Sequence, residues 1–311
     1  MARRRGRPPE APGPAGFLVV DKPPGWTSHD VVDAARRWLG TRRVGHLGTL
    51  DPLATGVLPL AVREATKLVP FVEGGVKCYA GSIQLGEETD TLDAEGEVVR
   101  RHSGPFPEEA AVRAALRSFL GEIWQVPPMF SAVKRGGVPL HRLAREGLEV
   151  ERAPKRVRLE RLELLAYAPP ALEIEVECSA GTYVRALASD LGRKLGCGAH
   201  LAFLRRTRSG PFHAAQAHPL AALEALAEAG GVEARLLSPL EPLALPVVRL
   251  TPEEVRRVLH GGDVAGGQGP LAPGTRVAGV APDGTLVAVL EMHAGRRLQP
   301  LRVLPTLAPP G

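Results

Sequence analysis

The chain has 311 residues, 44% of them apolar and only 4% aromatic, with a formal charge of +5. That length and apolar share supply one large domain and a small one, and exclude a wholly disordered or fibrous chain. The cationic excess favours polyanionic partners, because Lys and Arg displace counterions from phosphates, and no apolar run of about 18 residues marks a membrane span.

Residues 1–15 are rich in Arg, Pro and Gly and are expected to form a disordered basic tail. Order is expected from Gly16, with Phe17–Val20 as a strand and Asp21–Gly25 as a turn. Thr27 opens a helix, with Asp30 completing a capping box and Gly40 ending it. Its buried stripe is Val31, Val32, Ala35, Trp38 and Leu39. Residues 44–59 read as a loop punctuated by Gly and Pro, and Lys77–Leu85 as a strand. A helix from about Glu108 buries Val112, Ala115, Leu116 and Phe119 and stops at Gly121. Residues 127–154 form a long basic excursion of the kind that, inside a compact domain, is either functional or disordered. Leu172, Ile174, Val176 and Cys178 alternate with glutamates, which specifies a strand with one wet face. After the turn at Gly181, Val184, Leu187, Leu191 and Leu195 recur at helical spacing. Near residue 240 a boundary is expected. Beyond it come a second capping box, Thr251 to Glu254, a hairpin over residues 276–291, and a last strand at Leu301–Leu304.

The most informative segment is Gly45–Pro59, GHLGTLDPLATGVLP. Its glycines and prolines fix an irregular backbone, and Pro52 pushes Asp51 away from helical geometry. A surface turn is one reading. The apolar Leu47, Leu50, Leu53, Val57 and Leu58 favour a loop packed into the body.

This segment resembles the signature of the TruB family of bacterial tRNA pseudouridine synthases. Further matches follow in order at Phe17–Gly25, Glu64–Lys67, Lys77–Tyr79, Thr89–Asp93, Gly181–Arg185 and Gly196–Arg206. The resemblance implies an enzyme that isomerises the uridine numbered 55 in the T-loop of tRNA, without cofactor or metal. It also implies an α+β fold: a pseudouridine-synthase catalytic domain with a central, mainly antiparallel sheet, over residues 16–240. Within that domain, residues 127–154 would be an RNA-gripping insertion, and residues 241–311 a PUA-like RNA-binding module. The expected setting is a cytoplasmic monomer acting on the T-arm of tRNA, with no membrane and no protein partner.

The resemblance makes Asp51 the catalytic carboxylate and Arg185 its cationic partner. A carboxylate can stabilise or trap positive charge at a sugar carbon, and one that is buried needs a cation to stay ionised. An Arg at a helix start opposes the macrodipole, which itself argues for a specific partner. Tyr79 matches a base-stacking tyrosine, although it shares a strand face with Ile83 and Leu85 and reads equally as core. Tyr183 and Leu204 match pocket residues, and His46 a histidine that contacts the flipped RNA. Lys22 and Arg205 are candidates for phosphate contact, with solvated charges as the alternative. Two positions depart from the family pattern, Phe130 and His141, both in the 127–154 excursion.

Three rival readings remain at the level of sequence. One is a tRNA-binding chaperone whose role does not depend on catalysis. Another is a base-releasing hydrolase, with Asp93 as the nearest second acid. The third is modification of a different uridine or RNA class by the same chemistry. Zinc is not expected, because Cys197 and His200 have no second ligand pair. Three scattered cysteines suggest reduced thiols.

Overall fold

The computed structural model describes residues 13–131, 133–266 and 271–304. The expected tail thus lies outside the described residues, apart from 13–15. There Ala15 is buried and the Pro14 carbonyl accepts a hydrogen bond from Arg63.

In chain order, β1 (Gly16–Lys22) leads into α1 (Ser28–Trp38), β2 (Val44–His46) and β3 (Thr55–Val62). A short helix α2 (Val69–Val72) precedes β4 (Lys77–Leu85), a ribbon of β5 (Glu87–Thr89) and β6 (Val98–Arg101), and α3 (Glu109–Arg117). After β7 (Gly121–Gln125) come a small hairpin, β8 (Lys134–Arg135) with β9 (Val138–Pro139), and α4 (Leu140–Arg145). Then follow β10 (Lys155–Ala168), β11 (Ala171–Cys178), α5 (Val184–Leu195) and β12 (Ala199–Ser209). The stubs β13 (Phe212–His213) and β14 (His218–Pro219) lead to α6 (Leu220–Glu228). The remainder is β15 (Val247–Arg249), α7 (Pro252–Leu259), β16 (Val264–Ala265), β17 (Arg276–Val280), β18 (Leu286–His293) and β19 (Arg297–Val303).

The large sheet runs β14-β1-β3-β12-β4-β11-β10-β7, with β2 added to β3 and β13 to β12. Only the β1–β14 and β3–β12 pairings are parallel, so the sheet is mixed and mainly antiparallel, in an α+β fold. A second sheet, β15-β17-β18-β19-β16, forms the β-rich C-terminal part.

Alternation along β1 explains the layering. Leu18 and Val20 face a core shared with α1, α3 and α5, while Phe17 and Val19 face the opposite way. That second face packs against Ala278, Val280, Leu286 and Val289 of the C-terminal sheet. The large sheet is therefore buried on both sides where the Gly/Pro-rich loop leaves it. The α1 and α7 capping boxes form as their sequences specify, on Thr27 with Asp30 and on Thr251 with Glu254.

Two differences from the expected elements bear on the site. The Gly/Pro-rich loop is shorter than residues 44–59, because Thr55–Val62 is a fully buried strand containing Pro59. Pro59 is accommodated because its edge of β3 changes partner there, from β12 at Thr55 and Gly56 to β2 at Leu60–Val62. The second difference is β12, a central strand that the sequence pattern did not reveal. Its pairing with β4 shifts register between Leu201 and Phe203 and again between Arg206 and Arg208, which erases the period-two signal.

Candidate active site

The loop joining β2 to β3 carries Asp51 and is braced from several directions. The Ser28 hydroxyl accepts from the Leu50 amide at 2.8 Å and donates to the Leu50 carbonyl at 3.0 Å. Arg206 on β12, which is fully buried, donates from Nε to the Val57 carbonyl at 2.8 Å. Its terminal nitrogens donate to the carbonyls of Thr49 and Gly48 at 3.3 and 3.1 Å. Beyond Asp51, the Pro52 carbonyl accepts from the Gly25 amide at 2.9 Å and from Lys22 Nζ at 3.1 Å. Glycine is required at position 56, where φ is +96° and an added Cβ would lie 2.2 Å from the Arg206 carbonyl oxygen. Leu47 and Leu50 are buried beneath the loop, as the apolar pattern anticipated.

The counter-charge comes from the start of α5. Gly181 takes a positive φ of 88°, and Tyr183 is the extended residue before the first helical turn. Gln125, buried at the end of β7, grips that residue from both sides. Its side chain accepts from the Tyr183 amide at 2.7 Å and donates to the Tyr183 carbonyl at 3.0 Å. Arg185 follows, with its side chain 4% exposed. Its Nε lies 2.8 Å from Asp51 Oδ2, and Nη1 lies 3.4 Å from Asp93 Oδ2. Nη1 also donates to the Thr91 carbonyl and Nη2 to the Phe130 carbonyl, each at 2.9 Å. A cation at a helix N-terminus is thus held by two carboxylates and two carbonyls, which outweigh the opposing dipole.

Replacing Gln125 by Ala removes both contacts to Tyr183 and leaves its part-buried amide unpaired, while its carbonyl still accepts from the Leu187 amide. The expected cost is about 1–3 kcal/mol of stability, measured by chemical denaturation, with a smaller loss of activity as Arg185 shifts.

Burial pushes the Asp51 carboxyl above its ordinary value. The Arg185 guanidinium opposes this, and the charge of Asp93 adds to it. The Asp51 side chain nevertheless keeps 37% of its surface open to a cleft of about 190 Å³. Tyr79, Tyr183, Arg185 and Leu204 line the same cleft, together with Thr49, Lys77 and Ser131. Five of the residues singled out in the sequence therefore converge on one site. Burial raises the phenol pKa of both tyrosines, so both stay neutral. The charge of Arg206 partly offsets the shift at Tyr79, and a hydrogen bond with Ser131 that at Tyr183.

The other candidates lie elsewhere. His46 sits on β2 outside the lining of this cleft, with Nδ1 buried and without a hydrogen-bond partner. Burial, and then the nearby charges of Arg206, His29 and Lys77, lower its pKa and favour the neutral ring. Lys22 corrects the expectation of a phosphate-touching or solvated cation. It is fully buried, and Nζ donates to the carbonyls of Pro23, Trp26 and Pro52 at 2.9, 2.6 and 3.1 Å. Burial lowers its pKa to about 8. Arg205 is held in a two-pronged pair with Asp21 at 2.9 and 2.8 Å, so its charge is already matched. Asp93 is 3% exposed and lies behind Arg185, accepting from Thr91 Oγ1 at 2.6 Å, which removes it as a water-activating acid in the cleft. The Tyr-to-Phe departure at Phe130 leaves its contact with Arg185 intact, because that contact uses the backbone carbonyl. Of His141, only its place in α4 is described.

Sequence reasoning assigned no role to Ser28, Gln125 or Arg206. Each is a buried polar residue whose partners lie 22 to 158 positions away, beyond the reach of any local pattern.

The family model for the N-terminal domain of TruB family pseudouridylate synthases matches residues 36–184. The model for the tRNA pseudouridylate synthase B C-terminal domain matches residues 185–247. The tRNA pseudouridine synthase B of Geobacter sulfurreducens is 46% identical over 287 residues, covering 90% of this chain and 94% of that one. Its namesake from Symbiobacterium thermophilum is 52% identical over 250 residues, covering 79% and 82%. Among solved structures, a chain of an H/ACA RNP bound to a substrate RNA containing 2′-deoxyuridine superposes with a TM-score of 0.70 at 26% identity. That match covers 94% of this chain and 85% of the other. With these matches and the cleft around Asp51 taken together, the chain belongs to the TruB family of pseudouridylate synthases.

Proposed function

We propose that this protein converts a uridine in folded tRNA to pseudouridine, acting on the T-loop position numbered 55, with Asp51 as the essential carboxylate. The observation that carries the reading is the Asp51–Arg185 ion pair, open to a cleft beside Tyr79. The bond between uracil N1 and the sugar carbon breaks, the base turns, and its C5 bonds to that carbon. The proton lost from C5 is balanced by one gained at N1, so the product is an isomer and no co-reactant is consumed. Asp51 faces the carbon where positive charge develops, as a glycosidase carboxylate does, and Arg185 keeps it ionised against its burial.

The target base must leave its stack, at a cost of a few kcal/mol, and stacking on an aromatic ring returns roughly 1–3 kcal/mol. Tyr79 is assigned that contact, with Tyr183 and Leu204 closing the pocket, and His46 is assigned to RNA held outside it. Residues 127–154 bound a second cleft of about 380 Å³, lined in part by Arg135, Arg152 and Lys155, which suits a phosphate backbone. The insertion and the C-terminal module at 241–311, read as PUA-like, would grip the RNA. A monomer in the cytoplasm, needing no protein partner, completes the reading. No helix among the described residues is long and apolar enough to cross a membrane.

Incubation with unmodified tRNA transcript, followed by mapping at single-nucleotide resolution, tests the assignment. One modified T-loop uridine is expected, whereas a tRNA left without pseudouridine overturns it.

A further inference from the structure

The cations around the cleft differ in how fully they are engaged. Arg185 is engaged by two carboxylates and two carbonyls, and Arg206 by three carbonyls. Lys22 is likewise held by three carbonyls. Lys77 is the exception. It lines the cleft with Asp51 and Tyr79, yet among the described residues its ammonium has no hydrogen-bond acceptor and no carboxylate within ion-pair distance. Burial and the nearby Arg206 lower its pKa, and the charge of Glu73, which lies beyond ion-pair distance, partly offsets them.

The backbone makes room for this ammonium. Gly48 has a φ of +94°, and a Cβ built there would lie 2.7 Å from Lys77 Nζ. A half-buried charge without acceptors costs free energy in the folded protein, and the fold has cleared space for it rather than supplied a partner. An ammonium is a compact point charge suited to phosphate oxygens. Lys77 and Tyr79 lie on the same face of β4, about 7 Å apart along the strand. A base resting on Tyr79 would thus leave Lys77 to receive a more distant part of the same or a neighbouring nucleotide.

We propose that Lys77 is a substrate-binding residue whose ammonium pairs with a phosphate oxygen of the RNA at the flipped uridine. This rests on the pseudouridine reading above, so the wild-type enzyme is assayed beside the variant on the same tRNA transcript.

Lys77→Met keeps the apolar stem and removes the charge. The KM for tRNA should rise about tenfold, with kcat within about twofold. The salt dependence of tRNA binding should flatten by about one unit of log–log slope, the signature of one lost phosphate contact. The melting temperature should stay the same or rise, because an unpaired buried charge has been removed. A structural lysine would instead lower it. If Lys77→Met does not fold, Lys77→Gln is measured by the same three readouts. An unchanged KM and salt slope overturns the proposal. A raised KM with an unchanged slope also overturns it, because the contact would then be to a neutral group such as a uracil carbonyl. A wild-type enzyme that forms no pseudouridine points to failure of the functional reading instead.

Discussion

Asp51→Asn should reduce the single-turnover rate of pseudouridine formation by at least about 10⁴-fold, the scale seen when a residue that touches the reacting atoms is removed. The amide keeps the size of the side chain, so loop packing and the cleft lining survive. Affinity for tRNA should therefore stay within a few-fold of wild type, because binding draws on phosphate contacts spread over a wide surface. The two measurements belong together. A variant that still isomerised within tenfold of the normal rate would remove Asp51 from the chemistry. One that lost affinity in parallel with rate would indicate a collapsed site.

The second large effect is expected at Arg185, where two substitutions separate charge from shape. Arg185→Met strips the counter-charge from Asp93, which is 3% exposed, as well as from Asp51. An uncompensated buried carboxylate typically costs about 3–5 kcal/mol, so denaturant melts should show a loss of that size. Arg185→Lys keeps a positive charge but cannot reproduce the fork to Asp51, Asp93 and two carbonyls. Its turnover should fall about 10²–10³-fold with a milder loss of stability. The pH profile gives the sharper test. Asp51 must be ionised, so activity is present above its pKa in the folded protein and lost as pH falls through it. Burial already holds that pKa above the ordinary aspartate value, and Arg185 restrains the rise. Weakening the restraint should move the acid limb of kcat/KM to higher pH. A limb that stays in place would mean that Arg185 does not tune Asp51.

Elements announced by local chemistry were legible in the sequence. The capping boxes at Thr27 and Thr251, the alternation of Leu172 to Cys178 and the helical repeat from Val184 each depend on neighbours within a few residues. The strand Ala199–Ser209 was not legible, because its two register shifts scramble the alternation while leaving the pairing with β4 intact. The same division runs through the site. Asp51, Tyr79, Tyr183, Arg185 and Leu204 were nameable in advance because they sit in recognisable stretches of sequence. The geometry that joins them comes from Gln125, Ser28 and Arg206, buried polar residues that look like ordinary surface residues until their partners arrive from distant segments. Lys22 and Arg205 misled for the converse reason. A positive side chain in sequence carries no sign of whether its charge is already matched inside the fold.

The two matched family segments meet between residues 184 and 185, and the Asp51–Arg185 contact crosses that seam. Arg206 crosses it again, reaching back to Gly48 and Thr49. Neither segment thus holds the whole ion pair, which comes into being only when tertiary assembly is finished. A nascent chain that has released Asp51 but not yet Arg185 holds an acid without its counterion.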